Sequence, residues 1–178
     1  MTRSARMCAV GGVLVLTLLL LIPAFWNGYP IFYFDSLDYI SLPYTWKIPV
    51  FRTAGYGVFA AVGRPFDSVW VIVAVQSLLL AYILFEARRI LFADLGAKAG
   101  LAILAVLLIF TGMPWLASTV MPDVFTTAAV LLTILLAQTD VPLGPARRVI
   151  FVLLLGLACV AHPTHFAICS GLVACIFA

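Results

Sequence analysis

The amino-acid sequence predicts an all-α fold, a polytopic bundle of about five to six transmembrane helices. Of the 178 residues, 65% are hydrophobic and only 10% are charged, whereas soluble domains are about 45–50% apolar and about 25% charged. The apolar residues also come in successive long runs, and a helix needs about 20 such residues to cross a bilayer. A chain this apolar cannot cover its surface with polar groups, so membrane lipid is the expected surrounding.

Six apolar runs are predicted to be membrane spans. The first, "MCAVGGVLVLTLLLLIPAF", has no small-residue cleavage site after it, so we expect an uncleaved helix rather than a signal peptide. The last run, of about a dozen residues, would cover only about 18 Å, which is too short to cross. We therefore expect the single transmembrane domain 1–178 to be the N-terminal piece of a longer protein. The predicted spans are residues 7–25, 68–85, 99–116, 121–137, 149–163 and, incomplete, 166–178.

The segment 26–66 between the first two spans is rich in aromatic residues and prolines. Aromatic side chains are enriched where a membrane meets water. This segment is predicted to be the first outer loop and to contain a short interfacial helix.

The basic residues predict the orientation. With the N-terminus inside, seven basic residues are cytoplasmic and three lie outside, as the positive-inside rule requires. This indicates a membrane protein with a cytoplasmic N-terminus, which we expect to lie in a bacterial-type inner (plasma) membrane. The absence of a basic stripe argues against nucleic acid as a partner. The inner set is Arg3, Arg6, Arg88, Arg89, Lys98, Arg147 and Arg148; the outer set is Lys47, Arg52 and Arg64.

Two carboxylates, Asp35 and Asp38, lie in "FYFDSLDYI" on the predicted outer side. At a spacing of i and i+3 they share one face of a helix, and ionisable residues near the hydrocarbon are functional candidates. One of them can act as a general base for a sugar hydroxyl, or both can hold a divalent cation that neutralises a phosphate. The structural alternative is helix capping, because "DSLD" resembles a capping box with Asp35 at the N-cap.

A third acid, Asp123, follows Pro122 in "MPDVF" at the predicted start of the fourth span. It is predicted to face Asp35 and Asp38 across an outer cavity. The alternative is that it only favours the dipole of the helix that it precedes.

The motifs "HPTHF" and "RTAGYG" supply candidate substrate-binding residues, namely His162, His165 and Arg52. The histidines can contact a phosphate or, with a carboxylate, bind a metal, although two ligands alone do not define a metal. Arg52 is suited to a phosphate, and the glycines beside it permit close backbone approach. A contact between Arg52 and a lipid headgroup is the equal alternative.

Taken in order, "YFDSLDYI", "FRTAGYGVF", "MPDVF" and "HPTHF" after a first span resemble the polytopic GT-C class of glycosyltransferases, which includes protein mannosyltransferases and aminoarabinose transferases. The resemblance implies transfer of a sugar from a polyprenyl-phosphate donor on the outer face. By the same resemblance, Asp35 or Asp38 is the catalytic acid or base and Asp123 a second acid. Arg52 and one of the histidines contact the carrier phosphate or the acceptor.

The function expected is therefore that of a membrane glycosyltransferase, or a fragment of one, with Asp35 as the preferred catalytic aspartate. Whether a divalent cation is a cofactor is left open. The alternatives are a transporter or channel fragment, since intramembrane acids also form ion sites, and a structural membrane subunit without a catalytic site.

Overall fold

The computed structural model describes residues 3–48, 52–137 and 143–177. Over these ranges the chain forms ten α-helices and one 3₁₀ helix, and its β-structure is limited to one isolated bridge between Ile31 and Thr119. The predicted all-α class is confirmed. The helices are α1 (Arg3–Leu20), α2 (Ile22–Asn27), α3 (Ser36–Thr45), α4 (Ala54–Ala60), α5 (Val69–Leu91), α6 (Ala97–Phe110), α7 (Met113–Ser118), α8 (Val124–Ala137), α9 (Pro145–Ala161) and α10 (Pro163–Phe177), with the 3₁₀ helix at Ala61–Phe66.

The helices belong to two compact units, each built from two separate parts of the chain. The first unit comprises the described residues of 1–31 and 69–120, with α1, α2, α5, α6 and α7. The second unit comprises the described residues of 32–68 and 121–178, with α3, α4, the 3₁₀ helix, α8, α9 and α10.

The first predicted span, 7–25, is interrupted in the first unit, because α1 ends at Leu20 and α2 begins at Ile22. The continuous helix would have a bond from the Ala24 N–H to the Leu20 carbonyl. Instead, the buried hydroxyl of Ser118 donates to the Leu20 carbonyl at 3.1 Å and accepts from the Ala24 N–H at 3.2 Å. Proline at position 23, in the first turn of α2, is compatible with such a restart. One serine thus replaces the helix bond that the interruption removes.

The third predicted span, 99–116, is also divided. Helix α6 ends at Phe110, Thr111 is extended, and α7 starts at Met113 with a proline in its first turn. The end of α7 is held by the buried side chain of Gln76 on α5, whose amide nitrogen donates to the carbonyls of Ala117 at 2.8 Å and Thr119 at 2.7 Å. The interruption is therefore compensated by side-chain bonds to the backbone, as buried peptide groups require.

The remaining predicted spans become helices with shifted ends. The run 68–85 extends to Leu91 in α5, where Arg89 pairs with Glu86 at 2.8 Å and basic residues suit a helix C-terminus. The runs 121–137 and 149–163 become α8, which starts at Val124, and α9, which covers Pro145–Ala161. His162 is extended, and Pro163 opens α10, which covers Pro163–Phe177 of the run 166–178; residue 178 lies outside the described residues.

By length and composition, α5 is the one described helix that is long and apolar enough to cross a membrane. Four shorter apolar helices cover Met7–Leu20, Ala99–Phe110, Val124–Ala137 and Pro163–Phe177. The bundle of five to six spans therefore stays a prediction. The short helix predicted in the segment 26–66 is present as α3.

Candidate functional site around Tyr39

All six residues predicted to form the site belong to the second unit. They come from four places that are distant in sequence: the start of α3, the segment before α4, the turn before α8 and the junction of α9 with α10. The side of the membrane on which they lie stays a prediction. The six residues are Asp35, Asp38, Arg52, Asp123, His162 and His165.

Asp35 is at the N-cap position of α3, but its carboxylate forms no capping hydrogen bond. Its backbone has φ −79° and ψ −15°, whereas a capping side chain usually requires an extended residue. The carboxylate is instead buried, 6% exposed, and forms an ion pair with the guanidinium of Arg52. The predicted capping box is therefore wrong, and the turn is closed by Ser36, whose hydroxyl accepts from the Tyr33 N–H at 2.9 Å.

Arg52 is held from two directions. Its side chain is 27% exposed, pairs with Asp35, and lies over the ring of Phe34, 5.6 Å from its centroid, a distance at which a cation is attracted to the ring. The next residue, Thr53, donates from its hydroxyl to the Ala161 carbonyl at the end of α9 at 3.0 Å. The guanidinium is therefore positioned by the fold rather than free in solvent.

Gly55 allows the chain after Arg52 to approach α9. A Cβ at this position would lie 1.8 Å from the Val160 carbonyl oxygen. Gly57 plays a lesser part against Leu42 of α3, where a Cβ would lie 2.9 Å from a side-chain carbon. The close backbone approach predicted from "RTAGYG" is confirmed.

Two tyrosines outside the predicted set, Tyr39 and Tyr56, lie at the centre of the candidate site. Tyr39 of α3 and Tyr56 of α4 are both buried and meet edge to face, with ring centroids 5.0 Å apart. Tyr56 contacts the ring of Phe125 on α8 in the same manner, at 6.2 Å. These aromatic contacts join α3, α4 and α8, so they fix the positions of the polar residues that those helices carry.

The Tyr39 phenol lies within electrostatic range of four of the predicted residues: Asp35, Asp38, Asp123 and Arg52. Burial raises the pKa of Tyr39 above its ordinary value of 10.0, the three carboxylates raise it further, and Arg52 acts in the opposite direction. The phenol is therefore protonated at neutral pH and available as a donor.

Asp38 and Asp123 differ from Asp35, because both are exposed. Within the described parts of the chain neither carboxylate forms a salt bridge. The backbone around Asp123 forms a turn, with its carbonyl accepting from the Thr126 N–H at 3.0 Å. These two carboxylates are the ones that a ligand in solvent can reach.

His165 is buried and connects three helices. Its Nδ1 is 2.7 Å from the Ala158 carbonyl on α9, and its Nε2 is 2.8 Å from the Thr126 hydroxyl on α8. Because a carbonyl only accepts, Nδ1 carries the hydrogen, and in the neutral ring Nε2 accepts from the threonine. Both nitrogens are therefore used within the fold, and substrate contact by His165 would require one of these bonds to break.

His162 has the opposite tautomer. The Thr164 N–H donates to its Nδ1 at 3.4 Å, so the neutral ring carries its hydrogen on Nε2. The ring is partly exposed, and its centroid is 5.5 Å from that of His165. Of the two histidines, His162 is the one with a ring nitrogen that can contact a ligand.

Within the described residues, no three side chains of His, Cys, Asp or Glu are grouped closely enough to hold a metal ion. A cation at this site would need ligands from a bound molecule as well as from the protein. Magnesium is often bound in this way, through one or two carboxylates and substrate phosphates.

No match is found when the chain is compared with protein-family models, with curated proteins and with solved structures.

Proposed function

We propose that the chain is a membrane glycosyltransferase, or part of one, that transfers a sugar from a polyprenyl-phosphate carrier to an acceptor hydroxyl at the outer face of a bacterial-type inner membrane. The observation that carries the proposal is the ion pair of Arg52 with Asp35 in the second unit, near a tyrosine whose phenol also feels the charges of Asp38 and Asp123. Such a grouping offers a cation for a phosphate and carboxylates for hydroxyl groups.

In the proposed reaction the acceptor oxygen forms a bond to the anomeric carbon as the bond from that carbon to the phosphate oxygen breaks. The acceptor proton passes to an aspartate, and the carrier leaves as polyprenyl phosphate. No covalent intermediate on the protein is needed. The protein stabilises the negative charge that develops on the phosphate and accepts the proton.

Arg52 is assigned to the carrier phosphate. A guanidinium has five N–H donors, and the contact with Asp35 uses Nη2. Asp35 is therefore assigned a positioning role: it holds the arginine while other donors remain for the phosphate. This differs from the sequence-based preference for Asp35 as the catalytic aspartate.

Asp38 and Asp123 are the candidates for the base, because they are exposed and form no salt bridge within the described residues. His162, with its partly exposed ring, is assigned to the carrier phosphate or the acceptor. Membrane insertion is assigned to α5 together with the shorter apolar helices.

The experiment is binding of a polyprenyl-phosphate sugar to the full chain reconstituted in lipid nanodiscs. Arg52→Lys keeps the charge and the partner Asp35 but loses the planar fork of donors. We expect its affinity to fall about tenfold or more, as for loss of a hydrogen bond to a charged group. Arg64→Lys is the matched control, because Arg64 is exposed in the same unit and faces the ring of Tyr44.

Catalysis is tested separately by release of polyprenyl phosphate in the presence of an acceptor mixture from membranes. Asp38→Asn and Asp123→Asn should still bind the carrier, because the amide oxygen can accept from a sugar hydroxyl, and at least one of them should abolish release because an amide cannot take the acceptor proton. Full release with both substituted contradicts the proposal. Ion- or pH-driven uptake into proteoliposomes, lost in Asp123→Asn, would instead establish the transporter alternative, and a chain without either activity would be the structural subunit.

A further inference from the structure

The hydroxyl of Tyr39 forms no hydrogen bond with another described residue, and the residue as a whole is only 2% exposed. The hydroxyl oxygen is not one of the buried side-chain atoms that lack a partner, so the small exposed part of Tyr39 includes its hydroxyl. Since the ring is fixed against Tyr56, with centroids 5.0 Å apart, the hydroxyl is held in one place. A group held in this way is suited to a ligand that brings its own oxygen.

The charges around this hydroxyl restrict what the ligand can be. Asp35 and Arg52 neutralise each other as an ion pair, while Asp38 and Asp123 have no cation opposite them within the described residues. Among the four charged groups that act on Tyr39, two negative charges are therefore in excess. A further anion about 4 Å from one of them would be repelled by about 1 kcal/mol in water and about 4 kcal/mol near a protein surface.

The hydroxyl groups of a sugar match this arrangement. Each can donate to a carboxylate and accept from a phenol, so Asp38 and Asp123 act as acceptors while Tyr39 acts as a donor. An acidic sugar would place its carboxylate among groups of the same sign. The phosphate of the carrier differs from the sugar because it has Arg52 as its partner.

We propose that Tyr39 donates a hydrogen bond to an oxygen of the sugar, and that Asp38 and Asp123 restrict the site to sugars without an acidic group. This inference rests on the proposed function for the identity of the carrier, and it adds a residue and a substrate class to it. Tyr39 is here a substrate-contacting residue whose partner is the sugar, whereas Arg52 contacts the phosphate.

The experiment compares three probes that share one polyprenyl chain: the mannosyl phosphate, the glucuronosyl phosphate and the phosphate without a sugar. Dissociation constants are measured on the full chain in nanodiscs. The wild-type chain should bind the mannosyl probe at least about tenfold more tightly than the glucuronosyl probe, which corresponds to about 1.4 kcal/mol.

Tyr39→Phe keeps the ring and removes the hydroxyl. Its affinity for the mannosyl probe should fall about three- to tenfold, as for one neutral hydrogen bond, while its affinity for the phosphate without a sugar stays unchanged. Tyr44→Phe is the matched control, since Tyr44 is exposed in the same unit and bonds to Asp67 at 3.0 Å; it should bind all three probes normally. Equal weakening of the sugar-free probe by Tyr39→Phe would overturn the inference, as would no weakening at all.

A double variant tests the effect of the two excess negative charges. Asp38→Asn combined with Asp123→Asn should improve binding of the glucuronosyl probe, because the excess negative charge is removed. The preference for the mannosyl over the glucuronosyl probe should then fall to less than about threefold. Undiminished discrimination in this double variant, or tight binding of the glucuronosyl probe to the wild-type chain, would overturn the inference.

Failure of the proposed function has a different signature, namely that none of the three polyprenyl probes binds. In that case free methyl mannoside and methyl glucuronide are compared by saturation-transfer NMR on the same chain. If the mannoside gives a signal that Tyr39→Phe removes, the chain binds a sugar through Tyr39 although it does not bind the polyprenyl carrier. Equal signals from the two glycosides, or none from either, would overturn the inference as well.

Discussion

Buried polar side chains serve different partners in the two units. In the first unit, Ser118 and Gln76 bond to backbone groups left unpaired where helices are interrupted. In the second unit, Asp35 pairs with Arg52 and Thr126 with His165, so side chains bond to side chains, and Tyr39 has no partner among the described residues. The ion pair of the first unit, Arg89 with Glu86, lies within one helix, whereas the side-chain pairs of the second unit join parts of the chain that are distant in sequence.

The largest effect is expected where the second unit depends on close backbone contact. In Gly55→Ala the new Cβ would lie 1.8 Å from the Val160 carbonyl oxygen, so α4 and α9 must separate. Overpacking costs about 1–3 kcal/mol and more where backbone must move, and we expect about 3 kcal/mol, measured by denaturant unfolding in detergent. Gly156→Ala, in open space on α9, is the control; equal stability of the two variants would contradict the packing described.

A smaller loss of stability is expected when the ion pair of the second unit is broken. Removing one partner of a buried pair costs about 3–5 kcal/mol, but Arg52 is 27% exposed and solvent screens part of its charge. Asp35→Asn should therefore destabilise by about 2 kcal/mol and also weaken carrier binding, because Arg52 loses its position. Asp94 is an exposed aspartate of the first unit, and Asp94→Asn should change neither the stability nor the carrier affinity. Unaltered carrier affinity in Asp35→Asn would contradict the positioning role of Asp35.

In the first unit, Ser118→Ala should affect stability alone. The substitution leaves the Leu20 carbonyl and the Ala24 N–H without the hydroxyl that joins them, and we expect a loss of about 1–2 kcal/mol. Carrier affinity should stay at the wild-type value, which sharpens the distinction between the two units. Ser170→Ala, at an exposed position on α10, controls for loss of a hydroxyl; weakened binding in Ser118→Ala would remove the distinction.

The smallest effect concerns an exposed pair in the second unit. The hydrogen bond to Asp67 raises the pKa of Tyr44 above its ordinary value of 10.0. Because the folded-state pKa is raised, the bond favours the folded chain below pH 10 and this contribution is lost as the pH rises through the folded pKa. Asp67→Asn should move the tyrosinate titration assigned to Tyr44 to lower pH, as measured by difference absorbance against Tyr44→Phe; an identical titration would contradict the bond.

The sequence predicts the helical class better than the interactions between the helices. Helical class follows from long apolar runs, and proline and glycine positions indicate where helices end. The interruption at Leu21 depends on Ser118, nearly a hundred residues away, and no local pattern contains that information. Likewise "FYFDSLDYI" indicates two acids, but only the tertiary structure shows that Asp35 faces Arg52 rather than capping α3.

The role of Tyr39 also depends on tertiary contacts that the local sequence does not show. A tyrosine among aromatic residues in a membrane protein is usually an interface anchor, and nothing in its neighbours along the chain shows that its ring is buried while its hydroxyl has no described partner. The signal that was available is its spacing, since Tyr39 follows Asp35 by four residues and thus shares a helix face with it. His165 was selected for its chemistry, yet its bonds to Ala158 and Thr126 are typical of a histidine that joins helices.

The bond between Ser118 and Leu20 also has a consequence for biosynthesis. Ser118 is synthesised 98 residues after Leu20, which at about 5–20 residues per second is a delay of roughly 5–20 s. During that time the hydroxyl that joins the Leu20 carbonyl to the Ala24 N–H does not yet exist, and the direct helix bond between them is the local alternative. The two bonds that join Leu20 to Ala24 through a hydroxyl are therefore expected to form only when α7 arrives.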